Sequence, residues 1–346
     1  MAECCMESNQ IIKNDCCLCH KNEATQTNSH IVPSFLGARV FSYDGSGKRG
    51  KEVTFTLTAS KRTVHTGNLP STKYEELFDE NNLDDNRLEK LKIDSLAKDY
   101  YLCPDCEKLL AEYLESPYAT FLKKGESIQG DISLFFWLSV IWRVSITRIL
   151  GDRLSTDTEE CMRTYLFSYL EQKRLGQDTS VYIQNVPFKY KILYCSDFLQ
   201  KDAGFVNYKT NDTHESAAFI CGDIAVFMGS DDLVRAFWGL ENHLDEAPVN
   251  TGSTPENRLL VPIEPFVEAK KEIIIALKEK SLEFERGFLN QYWKSNGFKG
   301  KMPIGLQNEI IEYAHGNGLK LGDRGEYELW KPIIFEKITD YFNHHL

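Results

Sequence analysis

Two cysteine pairs are the residues of this sequence whose types and spacing most directly suggest chemistry. Cys16 and Cys19 are separated by two residues, and so are Cys103 and Cys106. A gap of this length lets both thiolates of a pair reach one metal ion from a tight turn or from the first turn of a helix. The sequence therefore predicts a shared Cys4 zinc site, with 83 residues folding between the pairs. Two unrelated cysteine pairs are the alternative.

A histidine and a glutamate near these cysteines could do chemistry beside a metal site. His30 lies in the run Ser-His-Ile-Val-Pro at residues 29–33, and Glu107 directly follows the second cysteine pair. A neutral imidazole can accept a proton near neutral pH, and a carboxylate is an acceptable ligand for Mg²⁺. His20, next to the first pair, is either an alternate zinc ligand or a solvated surface residue.

These motifs resemble those of the HNH endonuclease family, which run Cys-x-x-Cys, Asp-His-Ile-x-Pro and Leu-Cys-x-x-Cys followed by Asn or His. The resemblance covers residues 14–115. It implies a treble-clef (ββα-metal) fold, in which zinc ties a hairpin knuckle to a helix that starts near Pro104. It also implies that His30 activates water as the general base and that Glu107 helps to hold a catalytic Mg²⁺ or Mn²⁺ beside the scissile phosphate.

The sequence departs from the family pattern at two positions. Ser29 stands where the family has a carboxylate, and Glu107 stands where it usually has Asn or His. An active nuclease is one interpretation. In the other, His30 only hydrogen-bonds the knuckle and Glu107 only stabilises the first turn of its helix. The same variant motifs, and the run Phe-Trp-Leu-Ser-Val-Ile-Trp-Arg-Val-Ser at residues 136–145, are similar to those of uncharacterised bacterial proteins found among phage-defence genes.

A basic segment between the cysteine pairs is a candidate nucleic-acid contact. Residues 37–65 carry six cations against two acids, and residues 53–58 alternate apolar and hydroxyl side chains as a half-buried strand does. This pattern predicts a hairpin with a cationic tip that grips a phosphate backbone without reading sequence. A solvated charged hairpin is the alternative. The candidate cations are Arg39, Lys48, Arg49, Lys51, Lys61 and Arg62.

Charge and motif content limit the classes of function. The chain of 346 residues has 40 Lys plus Arg and 51 Asp plus Glu, a net charge of -11, so any nucleic-acid contact must be a local patch. The first ten residues lack the basic start and apolar run of a secretory signal, which predicts a cytoplasmic protein. The sequence contains no Walker motif or dinucleotide fingerprint, which argues against nucleotide hydrolysis.

The predicted fold class is α+β, in two domains. Residues 1–125 are expected to form the zinc-bearing treble-clef (HNH-like) module, and residues 126–346 a mixed domain of helices and antiparallel sheet. The apolar run at residues 132–150 predicts a buried helix rather than a membrane span, and Arg143 inside it needs an acidic or backbone partner; a phosphate-facing Arg143 is the alternative. Short apolar runs at residues 181–183, 188–194, 204–208 and 217–228 predict strands. Helices are expected at residues 267–280, 282–293, 306–314 and 330–342.

Two function hypotheses follow. In the first, the protein is a metal-dependent nuclease with a structural Zn²⁺ and a catalytic Mg²⁺ or Mn²⁺, acting on nucleic acid in anti-phage defence. In the second, it is a catalytically degenerate zinc-binding scaffold that docks a nucleic acid or a protein partner in a defence complex. Neither hypothesis requires a membrane.

Overall fold

The computed structural model describes residues 15–41, 52–57, 62–67, 96–125, 127–201, 204–230, 239–316, 321 and 327–345, and they form a mixed α+β fold of helices and two sheets. The chain divides into two compact units. The first comprises residues 1–55 and 63–270, and the second comprises residues 56–62 and 271–346.

The elements up to the central helix alternate short strands with helices. They are β1 (Ser29–His30), α1 (Ser34–Phe41), β2 (Glu52–Leu57), β3 (Arg62–Gly67), β4 (Ala97–Lys98), α2 (Pro104–Leu110), a π-helical segment (Ala111–Glu115), α3 (Ser116–Lys124) and α4 (Gly130–Thr147).

The elements after the central helix are richer in strands and end in three longer helices. They are α5 (Thr156–Arg174), α6 (Ser180–Ile183), β5 (Lys189–Tyr194), α7 (Phe198–Lys201), β6 (Phe205–Thr210), β7 (Ala217–Cys221), β8 (Ile224–Gly229), a 3-10 turn (Leu240–His243), β9 (Leu259–Leu260), α8 (Ile263–Ser295), α9 (Ile304–Gly316) and α10 (Tyr327–His345).

The larger sheet has seven strands in the order β2-β3-β6-β7-β8-β5-β9, and the smaller one pairs β1 with β4. Along this order, each neighbouring pair from β3 through β6, β7 and β8 to β5 is antiparallel, and β5 pairs with β9 in parallel. The predicted antiparallel sheet is confirmed. Gly222 turns β7 into β8 with a φ of +61°, which favours glycine. A Cβ at this position would meet Val40 of α1 at 3.2 Å, so α1 packs closely on this turn.

The prediction of a strand at residues 181–183 is wrong, because these residues form the short helix α6. The Asp178 carboxylate accepts hydrogen bonds from the Ser180 backbone N–H and hydroxyl, both at 2.9 Å. Such a local side-chain bond starts a helical turn where three β-branched or aromatic residues alone suggest a strand.

The central helix α4 is buried almost all round, as predicted from its sequence. A Cβ on Gly130 would lie 1.9 Å from the Thr254 carbonyl oxygen, so only glycine permits the loop to approach here. Among the described helices, α4 has the length and composition to cross a membrane, but 89% of that stretch is buried inside the protein, which is typical of a core helix.

A buried carboxylate ties the loop before β9 to the helices. Glu256 accepts hydrogen bonds from Tyr118 at 3.0 Å, from Trp137 at 3.2 Å and from Arg258 at 2.6 Å, and also from the Ser133 hydroxyl. Because every donor is a neighbour in the core, this buried charge is compensated. The network closes the sheet onto α3 and α4.

The core of the first unit runs across residue 125. Buried residues of the cysteine region, of α4 and of the strands β5–β8 belong to one hydrophobic cluster. The second unit has its own cluster, in which Trp293 and Trp330 are buried, so their aromatic spacing reflects a core. Within the chain that the structure describes, residues 267–293 lie in the single helix α8, where two helices were predicted.

Candidate functional site

A tight turn presents the first cysteine pair. The Cys16 N–H donates to the Asn22 carbonyl at 2.7 Å, and the His20 N–H donates to the Cys16 carbonyl at 2.9 Å. His20 has a φ of +53°, in the left-handed region that reverses the chain here. The Lys21 N–H donates to Cys19 Sγ at 3.4 Å. The backbone of this turn therefore stabilises charge on the sulfur.

The second pair lies at the start of α2. Cys103 has an extended backbone, with φ −86° and ψ 158°, and Pro104 follows it at the first helical position, where no amide N–H is needed. Cys106 completes the first turn. The Cys17 N–H donates to the Tyr101 carbonyl at 2.9 Å, which ties the two cysteine segments together.

The four sulfurs converge, as the spacing predicts. All four Sγ atoms lie within 4.8 Å of one another, all four residues are buried, and the Sγ atoms of Cys19 and Cys103 are 3.9 Å apart. A tetrahedral zinc site with Zn–S bonds of about 2.3 Å needs sulfurs about 3.8 Å apart. The cluster can therefore hold a metal ion such as zinc. His20 is exposed and lies outside this group.

Thiol–thiolate hydrogen bonding makes the four sulfurs electrostatically unequal. A hydrogen bond from the Cys106 thiol lowers the pKa of Cys16 to about 4. The same bond, together with burial, raises the pKa of Cys106, and burial raises the pKa of Cys103. Successive thiolates in one buried space repel each other, so a cation at the centre is what lets all four lose their protons.

A polar cluster adjoins the cysteines, and we define it by Ser29, His30, Glu107, Glu115 and Arg143. The strand β1 pairs His30 with Ala97 and Ser29 with Lys98 of β4, while Glu107 lies in the first turn of α2. Burial raises the pKa of Glu107, and Arg143, the Ser29 hydroxyl and His30 lower it. The two predicted catalytic residues are thus brought within electrostatic reach of each other.

Two buried oxygens of this cluster have no hydrogen bond of standard geometry, although the Ser29 hydroxyl lies close enough to Glu107 to lower its pKa. They are Ser29 Oγ and Glu107 Oε2. Ser29 as a residue is 1% exposed, whereas His30 and Glu107 are half-buried. Buried oxygens without donors are costly unless water or a cation contacts them.

Arg143 links the polar cluster to the core. Its side chain is 2% exposed, and Nη1 lies 2.7 Å from the His30 carbonyl oxygen and 2.8 Å from Glu115 Oε1. The predicted buried ion pair of Arg143 is confirmed. Sequence reasoning missed the partner, Glu115, because only its acidic type hinted at a role.

The candidate phosphate-binding cations have different outcomes. The Arg39 guanidinium on α1 lies 2.5 Å from a carboxylate oxygen of Asp223. Burial raises the pKa of Asp223, and Arg39 lowers it. Arg39 is therefore paired inside the protein, where a hairpin cation was expected, because the helix α1 occupies the start of the expected insert. Strands β2 and β3 are neighbours in the larger sheet, and Arg62 is the first residue of β3. Lys48, Arg49, Lys51 and Lys61, and with them the expected cationic tip, lie outside the described residues.

A cleft of about 560 Å³ opens on another side of the cysteine cluster, beside Cys19 and Cys106. Its rim carries charges of both signs, including Lys21, Lys108 and Glu112. Neither His30 nor Glu107 lines it. The cleft is therefore distinct from the polar cluster.

Comparison of the chain with protein-family models, with curated proteins and with solved structures gives no match. What the protein can do must therefore be inferred from the two adjoining centres: a complete ligand set for a metal ion and a polar cluster that contains an imidazole and two carboxylates.

Proposed function

We propose that the protein is an HNH-type, metal-dependent nuclease that hydrolyses phosphodiester bonds of nucleic acid. The observation that carries this proposal is that His30 on β1 and Glu107 in the first turn of α2 are both half-buried and within electrostatic reach of each other beside the cysteine cluster. The resemblance to proteins found among phage-defence genes supports a cytoplasmic role in anti-phage defence, with a protein partner.

The cysteine cluster has a structural role in this proposal. The knuckle, the β1–β4 pair and the helix that starts at the second cysteine pair support a treble-clef arrangement. Four thiolates and no open position are typical of structural zinc. A zinc ion held by them would fix the turn at residues 16–20 against the start of α2, which carries Glu107.

His30 is the proposed general base. Its imidazole accepts a proton from water, the water oxygen attacks phosphorus, and the bond from phosphorus to the leaving oxygen breaks. A divalent ion bound at Glu107 would stabilise the charge that develops on the leaving oxygen. The partnerless oxygens of Ser29 and Glu107 support a cation or a water between them. The cations at residues 48–62 are proposed to dock the phosphate backbone.

A cleavage assay tests this function. Purified protein is incubated with supercoiled plasmid, single-stranded DNA and RNA, each with Mg²⁺ or Mn²⁺, in parallel with His30→Ala and Glu107→Gln. We expect cleavage by the wild type and a loss of about 10²- to 10⁴-fold in His30→Ala, which is the usual contribution of a general base. His243→Ala, a change at another half-buried histidine, is the matched control and should retain activity. The proposal fails if the wild type cleaves no substrate or if His30→Ala cleaves equally well.

The scaffold is the second candidate, and two observations favour it. Ser29 is a poor ligand for a divalent ion, and the Arg143 guanidinium already supplies positive charge beside Glu107. The cleft beside the cysteines, with charges of both signs on its rim, suits a protein partner. Under this hypothesis the wild type binds a partner or a nucleic acid without cutting, and His30→Ala leaves that binding unchanged.

A further inference from the structure

We infer that Arg143 and Glu115 form a buried positioning pair that holds His30 opposite Glu107, an inference that rests on the proposed nuclease function. Neither residue needs to touch the substrate. Their role is to fix the main chain of the proposed base, so that its imidazole and the carboxylate on α2 face one reacting phosphate.

The contacts of Arg143 connect His30 to the most rigid part of the first unit. One guanidinium nitrogen, Nη1, reaches both the His30 carbonyl oxygen and Glu115. The Arg143 Nε donates to the Ser139 carbonyl at 3.3 Å, one turn earlier in α4. Because α4 is buried nearly all round, this link prevents His30 from moving independently of the core.

The π-helical segment explains how Glu115 reaches this position. In an α-helix, residues eight apart, such as Glu107 and Glu115, differ by about 80° around the axis, given about 100° per residue. The π segment Ala111–Glu115 adds one residue to the turn, which returns Glu115 to within about 20° of Glu107. Both carboxylates therefore lie on the helix face directed at Arg143, and both act on each other electrostatically.

A second ion pair of the same unit separates this role from ordinary stabilisation. Arg153 and Glu159 lie 2.6 Å apart, and the Glu159 side chain is nearly as buried as that of Arg143. The acceptors of Arg153 are the two carboxylate oxygens of Glu159, whereas Arg143 also binds the main chain of the proposed base. The Arg153–Glu159 pair, in which one partner is buried and the other is partly exposed, is therefore a control for the removal of an ion pair that does not contact the proposed base.

The test compares three variants with the wild type. Arg143→Met combined with Glu115→Gln removes both charges together, because removing one alone leaves an uncompensated buried charge and endangers folding. Arg143→Lys keeps the positive charge but replaces the planar guanidinium with a single ammonium group. Arg153→Met combined with Glu159→Gln is the control. For each protein we would measure kcat and KM of cleavage, and amide hydrogen exchange of a peptide spanning residues 27–33.

We expect the first double variant to lose about 10²-fold in kcat with KM changed by less than about threefold, because misplacing a base affects the reaction more than binding. Exchange in residues 27–33 should accelerate by about tenfold or more. Arg143→Lys should recover part of the lost kcat. The control variant should leave both quantities close to wild type.

Two results would overturn the inference: unchanged exchange in residues 27–33 of the first double variant, or equal effects in both double variants. A wild type that cleaves nothing would instead refute the nuclease, and the exchange comparison would still decide whether Arg143 holds His30.

Discussion

The four-cysteine cluster and the polar cluster share the start of α2 but differ in how completely the protein furnishes them. Four buried thiols of one chemical type surround a space that suits one metal ion. The polar cluster has two carboxylates and an imidazole, yet it contains its own cation, Arg143, and two oxygens without partners. The cysteine cluster is a closed site, whereas the polar cluster keeps oxygen atoms that could still bind an ion or a water molecule.

Under the proposed function, one short helix start has two roles, and the difference between the clusters reflects them. A structural metal site is stable when the chain supplies every ligand, whereas a catalytic site must leave positions for an ion, water or substrate. Cys106 and Glu107 are neighbours in sequence, so the closed site anchors the open one. Removal of a cysteine should therefore disturb the polar cluster, whereas a substitution in the polar cluster should leave the cysteine cluster intact.

Cys106→Ser should have the largest effect. A serine hydroxyl is a poor zinc ligand, so we expect loss of the bound metal and a fall of about 3 kcal/mol or more in the free energy of unfolding. Metal content by elemental analysis and urea unfolding measure the two effects. Cys161→Ser, which changes a half-buried thiol of α5 outside the cluster, is the control. A Cys106→Ser protein with a full complement of zinc would disprove the role of the cluster.

Ser29→Asp should convert the polar cluster into a fuller ion site. Without a divalent ion, a third carboxylate beside Glu107 and Glu115 in this buried position should lower the free energy of unfolding by about 2 kcal/mol. Mn²⁺ should restore that loss, because it neutralises the new carboxylate together with that of Glu107. Thermal unfolding with and without MnCl₂ measures this. If Mn²⁺ leaves the variant as unstable as before, the polar cluster does not bind a divalent ion.

Arg39→Gln tests a cation that belongs to neither cluster. Burial raises the pKa of Asp223 and Arg39 lowers it, so removal of Arg39 should raise this pKa further above that of the unfolded chain. We expect a stability loss of about 1 kcal/mol near neutral pH. The loss should shrink as the pH falls and Asp223 takes up its proton.

Urea unfolding at several pH values measures this dependence. Nucleic-acid affinity should change less than about twofold, because an Arg39 that is paired with Asp223 makes few phosphate contacts. A large drop in affinity with a reduced salt dependence would instead show that Arg39 binds phosphate.

Ser29→Ala should have the smallest effect. The Ser29 hydroxyl is buried and makes no hydrogen bond of standard geometry, only a weak contact with Glu107, so its removal should change the free energy of unfolding by less than about 0.5 kcal/mol. Thermal unfolding measures the change. A cost above about 1 kcal/mol would mean that this hydroxyl donates a strong hydrogen bond to the Glu107 carboxylate. The polar cluster would then have no ligand position left at Ser29.

Much of the fold could be predicted because local rules govern it. The alternation in β2 and the continuous apolar surface of α4 follow from the periods of strands and helices. The short helix α6 was missed because a single carboxylate, Asp178, starts its turn. The long helix α8 was divided in the prediction, although its backbone continues through Ser281.

The cysteine cluster and the polar cluster also differ in how much of each could be predicted from the sequence. Each cysteine pair lies within one turn of chain, so its spacing predicted two ligands for one metal ion, but only the fold brings together the two pairs, which are 83 residues apart. Glu115 could not be chosen among the many acids of the chain, because its alignment with Glu107 depends on the π segment. Its partner Arg143 reaches a carbonyl that lies 113 residues away in sequence.

The sequence by itself determined the chemistry that is available: four soft thiolate donors in two pairs, one imidazole and one carboxylate next to the last cysteine. Only the tertiary structure decided that Arg143 holds the main chain of His30 and that Arg39 pairs with Asp223. The physical reason is distance along the chain. Spacing determines which atoms meet within one turn, whereas a contact between remote residues depends on how buried helices and strands pack.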